Sequence, residues 1–310
     1  MPAVARCRQF YFATAKFREN QELELSLPVI SQGDEFLKTR DNDPSSADLN
    51  SMKFLKQQFF FLFSLLDQLL KFPSLKKGEI GIQIGFDMYS PMTSDLFEMS
   101  RRVGKKGLVV GIDPDKWNTD IATQIIKKKG ITNIRLIELG TYSEQTKAKF
   151  LFGRRSSWNQ IGNIAIDETV DFSGREEEIQ LDTLDNIMDQ HQINIHNVGH
   201  VNITNNGAEY YTLLGFEKGL RDARHLSLSI IAGRYDSSGT IEGKPDYELI
   251  LNYLHSLGYK TKFRRIHQLF WWGFCVKLLI NRNWIYYKKN YGVIFAAKGN
   301  KRIPFYQSFS

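Results

Sequence analysis

Cysteine is scarce in this 310-residue chain, which holds only Cys7 and Cys275. Two thiols exclude a disulfide scaffold and the common zinc modules, and they suit a reducing, cytoplasmic compartment. No run of 18 or more uncharged apolar residues is present, which argues against a spanning helix. The first twenty residues carry Arg6, Arg8, Lys16 and Arg18 but lack the apolar core of a secretory signal. There is no glycine-x-serine-x-glycine elbow, so hydrolase-type serine chemistry is not expected. The sharpest absence is of acid: from Leu249 to Ser310 there is no Asp or Glu, while Lys and Arg give +11. The net +7 of the chain therefore hides −4 in the residues before Leu249. Such an asymmetry speaks about partners, not about fold.

What is present is enough for a packed core, since 42% of residues are hydrophobic and 24% charged, which excludes wholesale disorder. Residues 1–50 show no sustained periodicity and form a poorly defined N-terminal segment. In 51–77, Leu62, Leu65, Leu66, Leu69 and Leu70 recur at helical spacing, which predicts an amphipathic lead-in helix ending before Pro73. From Glu79 onward short apolar runs alternate with helical stretches. Strands are expected at Ile80–Ile84, Gly107–Ile112, Ile134–Leu139, Glu178–Leu181, Val198–Ile203, Leu226–Ala232 and Tyr291–Ala297. Helices are expected at Thr93–Val103, Thr119–Lys129, Thr183–Gln190, Ala208–Arg221 and Tyr247–Leu257. That rhythm predicts an α/β fold with a doubly wound, mostly parallel sheet covered on both faces.

In such sheets ligands sit beyond the carboxyl ends of the strands. The first strand runs into Ile84-Gly85-Phe86-Asp87-Met88-Tyr89, where Gly85 permits a tight turn and a close ligand approach. The second ends at Gly111-Ile112-Asp113-Pro114-Asp115, which places Asp113 to accept from both hydroxyls of an adenosine ribose. Glu138, closing the third strand, is placed to reach an adenine edge.

With these residues in order, the chain resembles the FkbM family of S-adenosylmethionine-dependent methyltransferases. The resemblance runs from Gly78 to Gly258 and returns at Tyr291–Ala297. Gly78–Asp115 looks like the family's opening block, and Arg135–Glu144 resembles its third strand. Leu181-Asp182-Thr183-Leu184-Asp185 is similar to its threonine-leucine-aspartate block. Gly207-Ala208-Glu209-Tyr210 with Leu213-Leu214-Gly215-Phe216-Glu217 matches its glycine-alanine-glutamate segment and the following helix. The resemblance implies a Rossmann-like class I methyltransferase fold over 78–259, with S-adenosylmethionine over Gly85 and Asp87. It also implies Asp113 on the ribose, Glu138 near the adenine and Gln83 at the methionine end, and methylation of a hydroxyl on a sugar, glycan or lipid-linked acceptor. Gln83 stands where the family has an acid, Asp87 where it has asparagine and Tyr89 where it has a later glycine. Thr204-Asn205-Asn206 replaces a segment that normally carries two acids, and Ser229 a common glutamate. The catalytic base is therefore unassigned, with Asp87, Glu138 and Glu209 as alternatives, and Glu209 equally suits a helix start. These departures keep a second reading open, a catalytically inactive binding module of the same fold.

His191, His196 and His200 invite a metal reading, but no carboxylate or cysteine completes a set, so no metal is expected. Arg154-Arg155-Ser156-Ser157-Trp158 reads either as an acceptor loop or as a solvated turn. The loop Gly233–Pro245, with its Asp236-Ser237-Ser238-Gly239 tip, reads likewise as a lid or a plain turn. Residues 260–290 form a basic, aromatic insertion holding Phe270-Trp271-Trp272-Gly273-Phe274 and Trp284-Ile285-Tyr286-Tyr287. This composition in Lys260–Tyr291 suits peripheral membrane contact, single-stranded nucleic acid, or a hairpin packed on the sheet edge. The final strand and tail follow at 291–310.

Overall fold

Apolar strands buried on both faces drive the architecture. In the computed structural model, the described residues are 72–88, 94–154, 156–162, 171–233, 240–241, 244–265 and 291–303. A seven-stranded sheet is built from β1 (Ile80–Ile84), β2 (Leu108–Ile112), β3 (Ile134–Ile137), β8 (Val198–Ile203), β9 (Leu226–Ala232), β12 (Lys260–Arg265) and β13 (Gly292–Lys298). The order across the sheet is β12-β13-β9-β8-β1-β2-β3. Strands β9, β8, β1, β2 and β3 are parallel, and β13 runs antiparallel to both its neighbours. This is the doubly wound, mostly parallel, Rossmann-like class I arrangement expected. The chain runs outward through β2 and β3 on one side of β1, then returns to β8 on the other. The switch in strand order, and so the crevice for a ligand, falls between β1 and β8.

The two faces of this sheet differ. On one, Ile82, Ile84, Val110, Val201, Ile203, Leu228 and Ile230 pack under α3 (Leu184–Gln190), α4 (Glu209–Leu214), α5 (Glu217–Asp222) and α6 (Asp246–Ser256). Each such buried side chain is worth about 1.5–3 kcal/mol. On the other, α1 (Asp95–Val103) and α2 (Lys116–Lys129) bring Leu96, Met99, Val103, Ala122 and Ile125 against Val109, Phe72 and Leu75. The alternating residues of β1, β8 and β9 on this second face are polar: Gln83, His200, Asn202, Ser227 and Ser229, all nearly inaccessible.

Several expected boundaries move. The helix expected from Thr119 begins at Lys116, because Asp115 caps it by accepting from the Trp117 N–H at 2.9 Å. The single helix expected over Ala208–Arg221 is two, broken at Gly215-Phe216, where the Tyr142 carbonyl approaches so closely that a Cβ at Gly215 would overlap it. Glu178–Leu181 is not a short parallel strand of the main sheet. It is the end of β7 (Phe172–Asp182), which belongs to a second, four-stranded sheet with β4 (Gly140–Thr141), β5 (Thr146–Gly153) and β6 (Gln160–Ile161). A short pair, β10 (Thr240–Ile241) and β11 (Lys244–Pro245), precedes α6. The insertion expected from Lys260 starts later, since Lys260–Arg265 forms β12, paired along its length with β13. The lead-in helix at Leu62–Leu70, Tyr89, Arg155, the Asp236–Gly239 tip and the aromatic stretches at 270–274 and 284–287 lie outside the described residues. Among the described residues no helix is long and apolar enough to cross a membrane.

Candidate functional site

The glycine turn after β1 is shaped by its neighbours. Gly85 adopts φ 69° and lies against the backbone at the end of β8, so that a Cβ there would sit 2.5 Å from the Thr204 carbonyl oxygen. Asp113, at the end of β2, reaches this turn directly. Its Oδ2 accepts from the Phe86 N–H at 2.9 Å, and its Oδ1 accepts from the Asp115 N–H at 2.8 Å and from Asn118 Nδ2 at 3.4 Å. Asn118, one turn into α2, accepts from the Met88 N–H at 3.0 Å. The acid after β2 and the amide on α2 thus hold the backbone from Phe86 to Met88. Burial pushes the Asp113 carboxyl up to about 7 against the pull of these donors.

Asp87 faces the second sheet, where its Oδ1 accepts from Ser156 Oγ in the 3₁₀ turn Ser156–Trp158. The same turn is tied down twice more. Asn159 Nδ2 donates to Asp115 Oδ2 at 2.7 Å, and Asn206 Nδ2 donates to the Ser157 and Asn159 carbonyls, both at 2.9 Å. Burial raises the Asp115 carboxyl as well. The loop singled out after Arg154 therefore roofs the strand ends through Ser156 and Asn159, while Arg154 itself pairs with Asp171 at the exposed surface. Glu138 is exposed after β3 and accepts from Thr119 Oγ1 at 3.3 Å. It is not brought to the Gly85 turn by any hydrogen bond among the described residues.

The residues standing where acids were expected act as ties. Thr204 Oγ1 lies 2.7 Å from the Gly85 carbonyl and 3.1 Å from that of Ile84. Asn205 Nδ2 donates to Thr212 Oγ1 at 2.7 Å and Thr141 Oγ1 at 3.2 Å. Glu209 is buried and accepts from the Gly207 N–H at 2.7 Å, as an acid at a helix start should.

Sequence reasoning missed the buried chain behind the turn. Asp95 is a carboxylate acceptor, so Asn202 must turn its Nδ2 toward it, at 3.1 Å, and that nitrogen also donates to Gln83 Oε1 at 2.8 Å. Asn202 Oδ1 then accepts from Ser229 Oγ at 2.5 Å. With its proton committed, Ser229 must accept from His200 Nε2, 2.9 Å away. Nδ1 of the same ring lies 2.8 Å from Ser227 Oγ, whose one proton is shared between that nitrogen and the Gly199 carbonyl at 2.9 Å, and Ser74 Oγ lies 2.8 Å from the same hydroxyl. Donor counting thus fixes the direction from His200 Nε2 through Ser229 and Asn202 to Asp95 and Gln83. Gln83 Oε1 faces Asn202, and its Nε2 donates to the Gly85 carbonyl at 2.6 Å and lies 3.2 Å from Thr204 Oγ1. The acceptor that the sequence offered to a cofactor ammonium is the one engaged by Asn202. The one local signal for this chain was the polar residue at every second position of β8 and β9 in otherwise apolar runs.

Burial holds His200 neutral, with a pKa near 3, and Lys301 adds to that effect. The unfolded chain binds a proton at this histidine below about pH 6.5 and the folded chain does not, so this group removes about 1.4 kcal/mol of stability per pH unit between about 6.5 and 3. The expected ring signature in nitrogen-detected NMR is a single Nε2–H tautomer that does not titrate between pH 8 and 5. A titrating ring, or an Nδ1–H tautomer, would contradict the assigned direction.

No family model matches the chain, and no curated protein matches it. Among solved structures, the chain is similar to the methyltransferase FkbM from Methylobacillus flagellatus KT, at 13% identity over 74% of this chain and 47% of that one, with a TM-score of 0.45. It spans about half the length of that structure. Fibrillarin from Aeropyrum pernix, with natively bound S-adenosyl-L-methionine, is similar at 12% identity over 75% and 72% of the two chains, with a TM-score of 0.38. An rRNA methylase from Streptococcus thermophilus is similar at 12% identity over 73% and 89%, with a TM-score of 0.36.

Proposed function

We propose that the chain is an S-adenosylmethionine-dependent methyltransferase acting on a hydroxyl, with a sugar or glycan as the acceptor class. The observation that carries this reading is the junction of Gly85 and Asp113 at the switch in strand order. A turn without a side chain and a buried carboxylate from the next strand come together where a nucleoside would lie. Asp113 Oδ2, which accepts only from the Phe86 N–H, keeps a lone pair for a ribose hydroxyl, while Oδ1 is taken by Asp115 and Asn118. Asn205, whose Cα lies against Gly85, has its Oδ1 buried without a hydrogen-bond partner.

When bound, the cofactor supplies an activated methyl group on a sulfonium. The chain's part is to align the acceptor oxygen with that methyl and to remove its proton. Among the site carboxylates, Asp87 is the one that is partly exposed at the turn and hydrogen-bonded to the roofing loop through Ser156, which suits it to take the proton. Glu209 is bound to its own helix start and Glu138 stands apart.

Calorimetric titration of the full chain with S-adenosylmethionine and S-adenosylhomocysteine tests this. Micromolar binding of both is expected. Folded protein that binds neither would remove the methyltransferase reading.

A further inference from the structure

Gln83 brings no charge to the methionine end of the proposed site, yet a carboxylate stands beside it. Asp95 opens the first turn of α1, is 4% exposed, and shares with Gln83 Oε1 the single nitrogen Asn202 Nδ2. The two acceptors therefore lie within one amide's reach at the carboxyl ends of β1 and β8. The N–H groups at the start of α1 favour a carboxylate at this position. Two more polar atoms of this region have no hydrogen-bond partner. Ser94 Oγ belongs to a side chain 6% exposed next to Asp95, and Asn205 Oδ1 extends from a residue whose Cα lies 3.3 Å from the Cβ position of Gly85. A buried carboxylate beside a neutral amide oxygen at the strand ends is complemented by a compact cation with several N–H donors, which is an ammonium group.

Building on the methyltransferase reading above, we infer that Asp95, in place of Gln83, is the carboxylate that meets the ammonium of the cofactor's amino-acid end. The buried chain from Ser74 through His200 and Ser229 to Asn202 holds it there. Asn202 spends both amide hydrogens on Asp95 and Gln83 because its oxygen is claimed by Ser229. The chain therefore orients the carboxylate from the far side while leaving Gln83 to brace the turn.

The test compares S-adenosylhomocysteine with the same thioether lacking its α-amino group, by calorimetry on the full chain. In the unmodified protein, removing the amine is expected to weaken binding at least tenfold. Asp95→Asn keeps the hydrogen bond from Asn202 and loses the charge. It is expected to weaken S-adenosylhomocysteine about tenfold and to leave the deaminated analogue unchanged. Gln83→Met is expected to preserve the discrimination between the two ligands. If the unmodified protein binds both ligands equally, the inference fails without need of any variant. It fails also if Asp95→Asn weakens both alike, or if Gln83→Met is the change that abolishes discrimination; in these cases the cofactor reading survives. Binding of neither ligand overturns both.

Discussion

Asp113→Asn is expected to raise stability at pH 8 while weakening S-adenosylhomocysteine five- to a hundredfold. Burial lifts the folded pKa of Asp113 to about 7, above an unfolded value of 3.8. Between those values the folded chain holds a proton that the unfolded chain has lost, so stability falls as pH rises through this window, by about 4 kcal/mol in all. The asparagine variant has no such slope. It does place an amide N–H₂ against one of the donors now served by the carboxylate, an unfavourable contact of about 1–3 kcal/mol. The slope is the larger effect, so the variant gains at pH 8 and is equal or weaker at pH 5. The ligand loss follows from removing a charged acceptor at the ribose, about 1–3 kcal/mol. Chemical denaturation at the two pH values, with calorimetry at pH 8, checks both halves. A variant less stable than the parent at pH 8, or one binding as before, would show that Asp113 serves only as a brace.

The second large effect is expected at Gly85. Alanine there meets two obstacles, a positive φ of 69° and a Cβ 2.5 Å from the Thr204 carbonyl oxygen and 2.9 Å from its carbon. Both neighbours are backbone, and the Thr204 N–H is bonded to the Ile84 carbonyl at 2.9 Å, so relief requires parting the ends of β1 and β8. Gly130 provides the control, since its φ of 63° closes α2 with nothing within 4 Å of an added Cβ. Gly130→Ala should cost about 1 kcal/mol, the left-handed conformation alone, and Gly85→Ala about 3 kcal/mol or more. Equal losses in denaturation midpoints would mean that the contact with β8 relaxes freely.

The elements legible in the sequence are those whose neighbours in the chain are also their neighbours in environment. Strands β1, β8 and β9 were bounded correctly because a strand buried on both faces writes itself as a short apolar run between turns. The second sheet was not, because Ser173 to Glu178 are exposed and read as a solvated acidic stretch. In the site, Gly85 and Asp113 were legible because each sits at the end of such a run, and their contact follows from adjacent parallel strands. Asp95 and Asn202 were not, since they are partners only across 107 positions of sequence. Glu138 follows β3 as read, with β2 lying between that strand and β1.

The reversal of β13 has a consequence for how the sheet is closed. Arg265 at the end of β12 and Gly292 at the start of β13 are direct partners across the ladder, so the chain leaves and re-enters the sheet at one point. The ladder between β12 and β13 therefore does not depend on how many residues join the two strands. A two-residue turn could join the same two ends, and closing so long a connection instead costs about 2 kcal/mol more in chain entropy. The sheet that carries the glycine turn is thus closed at Arg265 and Gly292, whatever the length of chain between them.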